Sequence, residues 1–101
     1  MSHRRSPLAD SDLDDIWYHV ASQSGSVDIA DRLIGSITER FLLLASYPRL
    51  GRARDADLRL GLRSFSVGEY VILYRIEDEN VVILRVLRGS RNIGALVRAI
   101  E

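Results

Sequence analysis

From Ser6 onward the apolar positions follow first a helical period and then a strand period. Leu13, Ile16, Trp17, Val20 and Ala21 recur at three- and four-residue intervals, the spacing that gathers side chains into one stripe of a helix. Ser6-Pro7 starts this helix, because serine accepts from free backbone N–H groups and proline is pre-set for the first helical position. Asp10, Asp12, Asp14 and Asp15 load its N-terminal part, where the helix dipole favours negative charge. Their spacing predicts a solvated face. The stripe ends before the Ser/Gly-rich stretch Ser22 to Ser26. A second helix is predicted from near Val27 to Ala45, with Ala30, Leu33, Ile34, Ile37, Phe41 and Leu44 on one face and Pro48 stopping the pattern. Gly35 is its weak interior position, about 1 kcal/mol below alanine in propensity. Against a neighbouring helix it is expected to permit close approach. The short link makes the pair an antiparallel hairpin.

After Pro48 the period changes. A polar, arginine-containing loop over residues 49–57 leads into three short runs, Leu60 to Phe65, Tyr70 to Ile76 and Val81 to Leu87. Ser66-Val67-Gly68-Glu69 and Glu77-Asp78-Glu79-Asn80 join them, lengths that suit hairpin loops between antiparallel strands. The runs are β-branched and apolar enough to be covered on one face, and the helical hairpin is the obvious cover. Ile93, Leu96, Val97 and Ile100 return to helical spacing and predict a short terminal helix that must pack on the body or on another chain. The expected fold class is α+β: an N-terminal antiparallel two-helix hairpin on a three- to four-stranded antiparallel sheet, with a short C-terminal helix. Residues 1–101 form a single domain with one core, since no repeat or linker divides the chain.

Composition narrows the chemistry. The chain is 47% hydrophobic and 28% charged with no cysteine, which removes disulfides and thiolate metal sites and suits a reducing cytoplasm. No run approaches the roughly 20 apolar residues of a membrane span. A cytoplasmic location with no membrane partner is the expectation. Formal net charge is zero, which argues against nucleic-acid binding by bulk positive potential. The distribution is uneven, however: residues 1–31 hold two Arg against six Asp, whereas residues 32–63 hold seven Arg against three acidic residues. All fourteen basic residues are arginine. A GC-rich coding bias would explain this, and so would a need for guanidinium forks that meet carboxylate or phosphate two bonds at a time. Either way no mechanism here can use a lysine.

Several strings occur in an order that resembles a known family. Ser6-Pro-Leu-Ala, Asp12-Leu-Asp-Asp-Ile-Trp, Arg40-Phe, Leu44-Ala, Pro48 and Gly51-Arg52 are similar to the first half of ParE-type toxins of the RelE/ParE superfamily. Gly61-Leu-Arg-Ser-Phe, Val67-Gly-Glu-Tyr-Val-Ile-Leu-Tyr-Arg and Ile83-Leu-Arg-Val-Leu-Arg-Gly-Ser-Arg resemble the second half. The resemblance implies the toxin of a type II toxin–antitoxin system, neutralised in a hetero-oligomer by a cognate, DNA-binding antitoxin. For ParE members it implies poisoning of DNA gyrase, whose cleaved DNA complex accumulates; for RelE members it implies cutting messenger RNA on the ribosome. Fold alone does not choose between them.

Site chemistry favours the gyrase branch. Cutting RNA through its 2′-hydroxyl needs a group to take that proton, positive charge on the phosphate and a donor for the leaving oxygen. Arg63 and Arg85 match the family's two sheet arginines, but Arg88 stands where relatives often have histidine, and no Tyr or His follows Tyr74. No catalytic residue, metal or cofactor is therefore assigned. The ribosome-dependent endoribonuclease and a non-toxic antitoxin-binding relative stay open as alternatives. Arg63, Arg85, Arg88 and Arg91 are the candidate target-binding residues, although Arg63 and Arg85 equally suit salt bridges to the helix aspartates, which is the reading preferred for Arg75. Trp17, Ile93, Leu96, Val97 and Ile100 are the candidate antitoxin contacts, although they, with Phe41, Leu43 and Phe65, are most simply core residues. His3 and His19 read as solvated or partner-facing, His3 in a flexible end. The segment 1–6 lacks the apolar first strand common in the family, which leaves that strand short, at an edge or absent, and a sheet edge open to an antitoxin strand.

Overall fold

The computed structural model describes residues 2–98, so Ile100 of the tail stripe lies outside the described residues. In chain order the elements are β1 (His3–Arg5), α1 (Pro7–Ser24), α2 (Val27–Ser46), β2 (Arg52–Ala53), β3 (Arg63–Val67), β4 (Tyr70–Glu77), β5 (Asn80–Arg88) and α3 (Ile93–Arg98). Ser6 caps α1 by accepting from Ala9 N at 3.0 Å, and Gly25 ends it in the left-handed conformation at φ 69°. Ser26 then caps α2 through Ile29 N at 3.2 Å. Gly25 and Ser26 alone separate the two helices, so the hairpin follows from a glycine that turns the chain and a serine that restarts it.

Gly35 does not do what its position suggested. A Cβ built there meets nothing within 4 Å, so no close helix approach depends on it. Gly35→Ala is therefore expected to stabilise the fold by about 0.5–1 kcal/mol through backbone entropy and helix propensity alone. Urea unfolding would show this as a higher midpoint at unchanged slope; a lower midpoint would mean that the glycine has a packing role.

The hairpin packs on a sheet in the order β1-β5-β4-β3-β2. Five strands replace the three or four expected, and the sheet is mixed, because β1 runs parallel to β5 with His3 opposite Val81 and Arg5 opposite Ile83. The remaining pairs are antiparallel. β1 escaped the apolar pattern because an edge strand holds on by its backbone: His3 is half-buried and Arg4 and Arg5 stay exposed. β3 starts at Arg63 rather than Leu60, since Gly61 takes φ 79° and breaks the run. Leu60 is left 87% exposed. The β4–β5 turn has Asp78 and Glu79 both left-handed, at φ 51° and 66°, a conformation that glycine adopts without the penalty of about 1 kcal/mol or more carried by other residues. Glu79→Gly is expected to raise the urea midpoint by an amount equivalent to about 1 kcal/mol; an unchanged midpoint would show that the turn is not strained.

Both faces of the sheet are covered, which corrects the expectation of a single hairpin cover. On one face Leu13, Ile16, Ile37, Phe41 and Leu44 meet Ile72, Tyr74, Ile83 and Val86. On the other Leu62, Leu73, Val82, Leu84, Leu87 and Val97 form a second cluster, flanked by Leu58, Ile93 and Leu96. The unbroken run Val81-Val82-Ile83-Leu84 is buried throughout, as a strand covered on both sides requires. Leu43, expected in the core, is 37% exposed. The loop after α2 is tied down by Tyr74, fully buried, whose hydroxyl donates to the Pro48 carbonyl at 2.7 Å and accepts from Gly51 N at 2.9 Å. Among the described residues no helix is long and apolar enough to cross a membrane.

Candidate target-facing site at the end of the last strand

β1 stops at Arg5, and α1 takes over the edge of β5 from there. Ser6 N donates to the Ile83 carbonyl at 2.9 Å and Ser6 Oγ to the Leu84 carbonyl at 2.7 Å. Six residues further on, Asp12 Oδ2 accepts from Val86 N at 2.9 Å. Between these points the register slips: Tyr74 pairs with Ile83 and Leu73 with Arg85, leaving Leu84 as an extra residue. Such a bulge bends its strand and re-aims side chains. This edge is therefore not open to an added strand as far as Val86.

Arg85 completes the arrangement. Its Nε and Nη2 reach Asp12 Oδ2 and Oδ1 at 2.8 and 2.9 Å, with the two side chains only 13% and 9% exposed. The hydrogen bonds to Asp12, outweighing the opposing effect of burial, hold the guanidinium above its ordinary pKa. Asp12 thus departs from the solvated face assigned to the four aspartates, and Arg85 is occupied within the fold rather than free for a target. The sequence did contain the signal: Ala9, Asp12, Leu13 and Ile16 share the i, i+3, i+4, i+7 stripe that is buried.

Arg63 is also turned inward. Its Nη2 donates to the carbonyls of Arg49 and Gly51, and its Nε is buried without a partner among the described residues. It braces the loop after α2. Arg75 pairs with Glu77 at 2.9 Å instead of a helix aspartate; that hydrogen bond, then the charge of Arg4, pulls the Glu77 carboxyl below its ordinary range. His3 is not in a flexible end: it lies in β1 with its ring 5.8 Å from that of Phe41, and burial, followed by the charge of Arg5, lowers its pKa.

Arg88 and Arg91 differ from the other two candidates. Arg88 ends β5 with its side chain 45% exposed and only a loose approach to Glu69 at 3.9 Å. Arg91 is exposed, in a turn closed by its own N–H on the Arg88 carbonyl at 3.1 Å, while Gly89 N donates to the Glu69 carbonyl at 2.8 Å. Arg88 and Arg91 both line a cleft of about 200 Å³. Ile16, Tyr70 and Val86 line it on the hairpin side of the sheet, with Asp12, Asp15 and His19 of α1; Leu87 also borders it, although its side chain packs in the cluster on the opposite face. Sequence reasoning missed Asp15, His19 and Tyr70 as neighbours of this turn, because only the packing of α1 along β5 brings them there. Chemically, the cleft combines two arginines with apolar side chains and, on the α1 side, carboxylates, an arrangement suited to binding an acidic group beside an apolar one on the arginine side.

The candidate antitoxin contacts are not brought together. Trp17 is half-buried on the hairpin, its indole N–H donating to Asp31 at 2.8 Å, while Ile93, Leu96 and Val97 lie across the sheet on the opposite face. Val97 is only 2% exposed. Its contacts are with the chain's own core, so it leaves the candidate surface.

This architecture is that of the small toxins found in toxin–antitoxin complexes. It superimposes on the chromosomal ParDE system of P. aeruginosa with a TM-score of 0.75 at 24% identity, covering 87% of this chain and 95% of that one. Against the RelBE2 toxin–antitoxin complex of Mycobacterium tuberculosis the TM-score is 0.65 at 30% identity, covering 86% and 95%. In sequence the chain is 45% identical to Toxin ParE3 of Caulobacter vibrioides over 84 residues, 83% of this chain and 82% of that protein. It is 34% identical to Toxin ParE1 of Mycobacterium tuberculosis over 89 residues, 87% and 89% of the two chains. Residues 4–93 match the family described as ParE toxin of type II toxin–antitoxin system, parDE. The chain belongs to that family, and is a ParE-family toxin of a type II toxin–antitoxin system.

Proposed function

We propose that this toxin binds DNA gyrase through the turn bearing Arg88 and Arg91, stabilises the cleaved DNA complex, and is neutralised in the cytoplasm by a cognate antitoxin with which it forms a hetero-oligomer. The observation that carries the reading is the division among the four arginines. A ribonuclease of this fold would need Arg63 and Arg85 on its phosphate, yet Arg85 is taken by Asp12 and Arg63 by two carbonyls. Arg88 and Arg91 remain outward. The antitoxin partner is supported by the two structural neighbours, both described as toxin–antitoxin systems or complexes.

The test is to incubate the purified chain with gyrase, ATP and supercoiled plasmid and to look for linear DNA after detergent and protease. Linear product is expected. The Arg88→Ala, Arg91→Ala variant should lose it by about tenfold or more, the scale of a hot-spot arginine at an interface, while still binding the antitoxin. A folded, antitoxin-binding sample that yields no linear DNA but cuts messenger RNA on ribosomes would replace this reading with the endoribonuclease.

A further inference from the structure

We infer that the cleft between α1 and the end of β5 docks an acidic peptide segment of the target protein, anchored by one bulky apolar side chain on Ile16, Tyr70 and Val86, with its carboxylates on Arg88 and Arg91. The inference rests on the reading that this turn faces the target, and it specifies that the contact is with protein rather than with DNA.

Size is the first argument. An apolar cavity of about 150 Å³ accepts a benzene ring, so the cleft of about 200 Å³ here holds one aromatic or leucine-sized side chain. The apolar lining is the second. Ile16, Tyr70 and Val86 supply it, whereas a phosphate backbone is met by polar and basic groups. An arginine beside a desolvated apolar pocket is the composition of protein–protein hot spots.

Charge is the third argument. Arg88 has one ion pair, with Glu69 at 3.9 Å and with that carboxylate 77% exposed, and among the described residues Arg91 has none. Both forks are free to take carboxylates two bonds at a time. Across the cleft stand Asp12, neutralised by Arg85, and Asp15, which repels a second run of anions. A DNA backbone, charged along its whole length, meets that repulsion. A peptide can place its acids on the arginine side and a neutral or donor group on the α1 side, so the two walls also set its register. The chain's zero net charge removes the long-range attraction that duplex binding commonly uses.

The inference can be tested on the ¹⁵N-labelled full chain by NMR titration with acetyl-Glu-Phe-Glu-amide, acetyl-Glu-Ala-Glu-amide, acetyl-Lys-Phe-Lys-amide and a short DNA duplex. The first probe should give saturable shifts at Ile16, His19, Leu87, Arg88 and Arg91, tighter by about tenfold than the alanine or lysine peptides, and the shifts should vanish in Arg88→Ala, Arg91→Ala. Equal response to the lysine peptide, shifts scattered without saturation, or stronger and localised binding of the duplex would each overturn the inference. Loss of antitoxin affinity in the same double variant would assign the cleft to the antitoxin and overturn the target as its source. Gyrase cleavage is scored separately. Peptide binding without linear DNA supports the docking site and removes gyrase, whereas linear DNA without peptide binding removes the site and leaves gyrase.

Discussion

Asp12→Ala is expected to destabilise the protein by about 3–5 kcal/mol, the cost of breaking a buried ion pair from one side. Two groups lose their partner at once: the Arg85 guanidinium, 13% exposed, and the N–H of Val86. Arg85→Ala leaves a buried carboxylate that still accepts from Val86, so it should cost less than Asp12→Ala. Combining Asp12→Asn with Arg85→Gln removes both charges and keeps an acceptor for Val86. That double variant should recover much of the loss, because desolvating the charges had offset much of their attraction. Urea unfolding of the single and paired variants checks this. Additive losses would show that the two side chains do not act as a pair, and loss of toxicity in a fully folded neutral pair would return Arg85 to the target surface.

Gly51→Ala should be comparably damaging, about 3 kcal/mol, at the upper end for added core volume. A methyl there would lie 2.7 Å from both the Ser64 carbonyl oxygen and Tyr74 Cε1, and closer still to the Tyr74 hydroxyl. The ring is fully buried and its hydroxyl is held by Pro48 and Gly51, so it has no room to yield. A melting temperature lower by roughly 10 °C or more is expected for a domain of this size, and Tyr74→Phe in the same chain should relieve part of it. A loss under about 1 kcal/mol would mean that the loop after α2 shifts freely. Read with Gly35→Ala, the same substitution is expected to have opposite signs at two buried or half-buried glycines, decided by what a methyl group meets.

These contrasts also show what could be read from the chain beforehand. Both helices were legible because Ser6-Pro7, Gly25 and Ser26 mark their ends with side-chain and backbone chemistry local in sequence. The cores of β4 and β5 were legible from their β-branched runs. β1 and β2 were not, because short edge strands carry no apolar alternation. Among the site residues, Arg88 and Arg91 emerged as outward from their place at the end of the last strand and in the turn that follows it. The fates of Arg63 and Arg85 depended on carbonyls and a carboxylate many residues away, which no periodicity encodes. The second apolar cluster was legible in principle from Val81-Val82-Ile83-Leu84, a run too continuous for a strand with one dry face.

The Asp12–Arg85 bond spans 73 residues of chain, and the parallel pairing of β1 with β5 spans a similar distance. Contacts so remote in sequence form late, since loop closure must be met before they contribute. As the chain grows from its N-terminus, the hairpin can assemble early, but β1 and the N-terminal part of α1 have no strand to join until β5 has been made. The arginine turn acquires its position only with that closure. The surface proposed to be toxic is thus among the last parts of the molecule to take shape, and a nascent chain presents its helices before it presents its weapon.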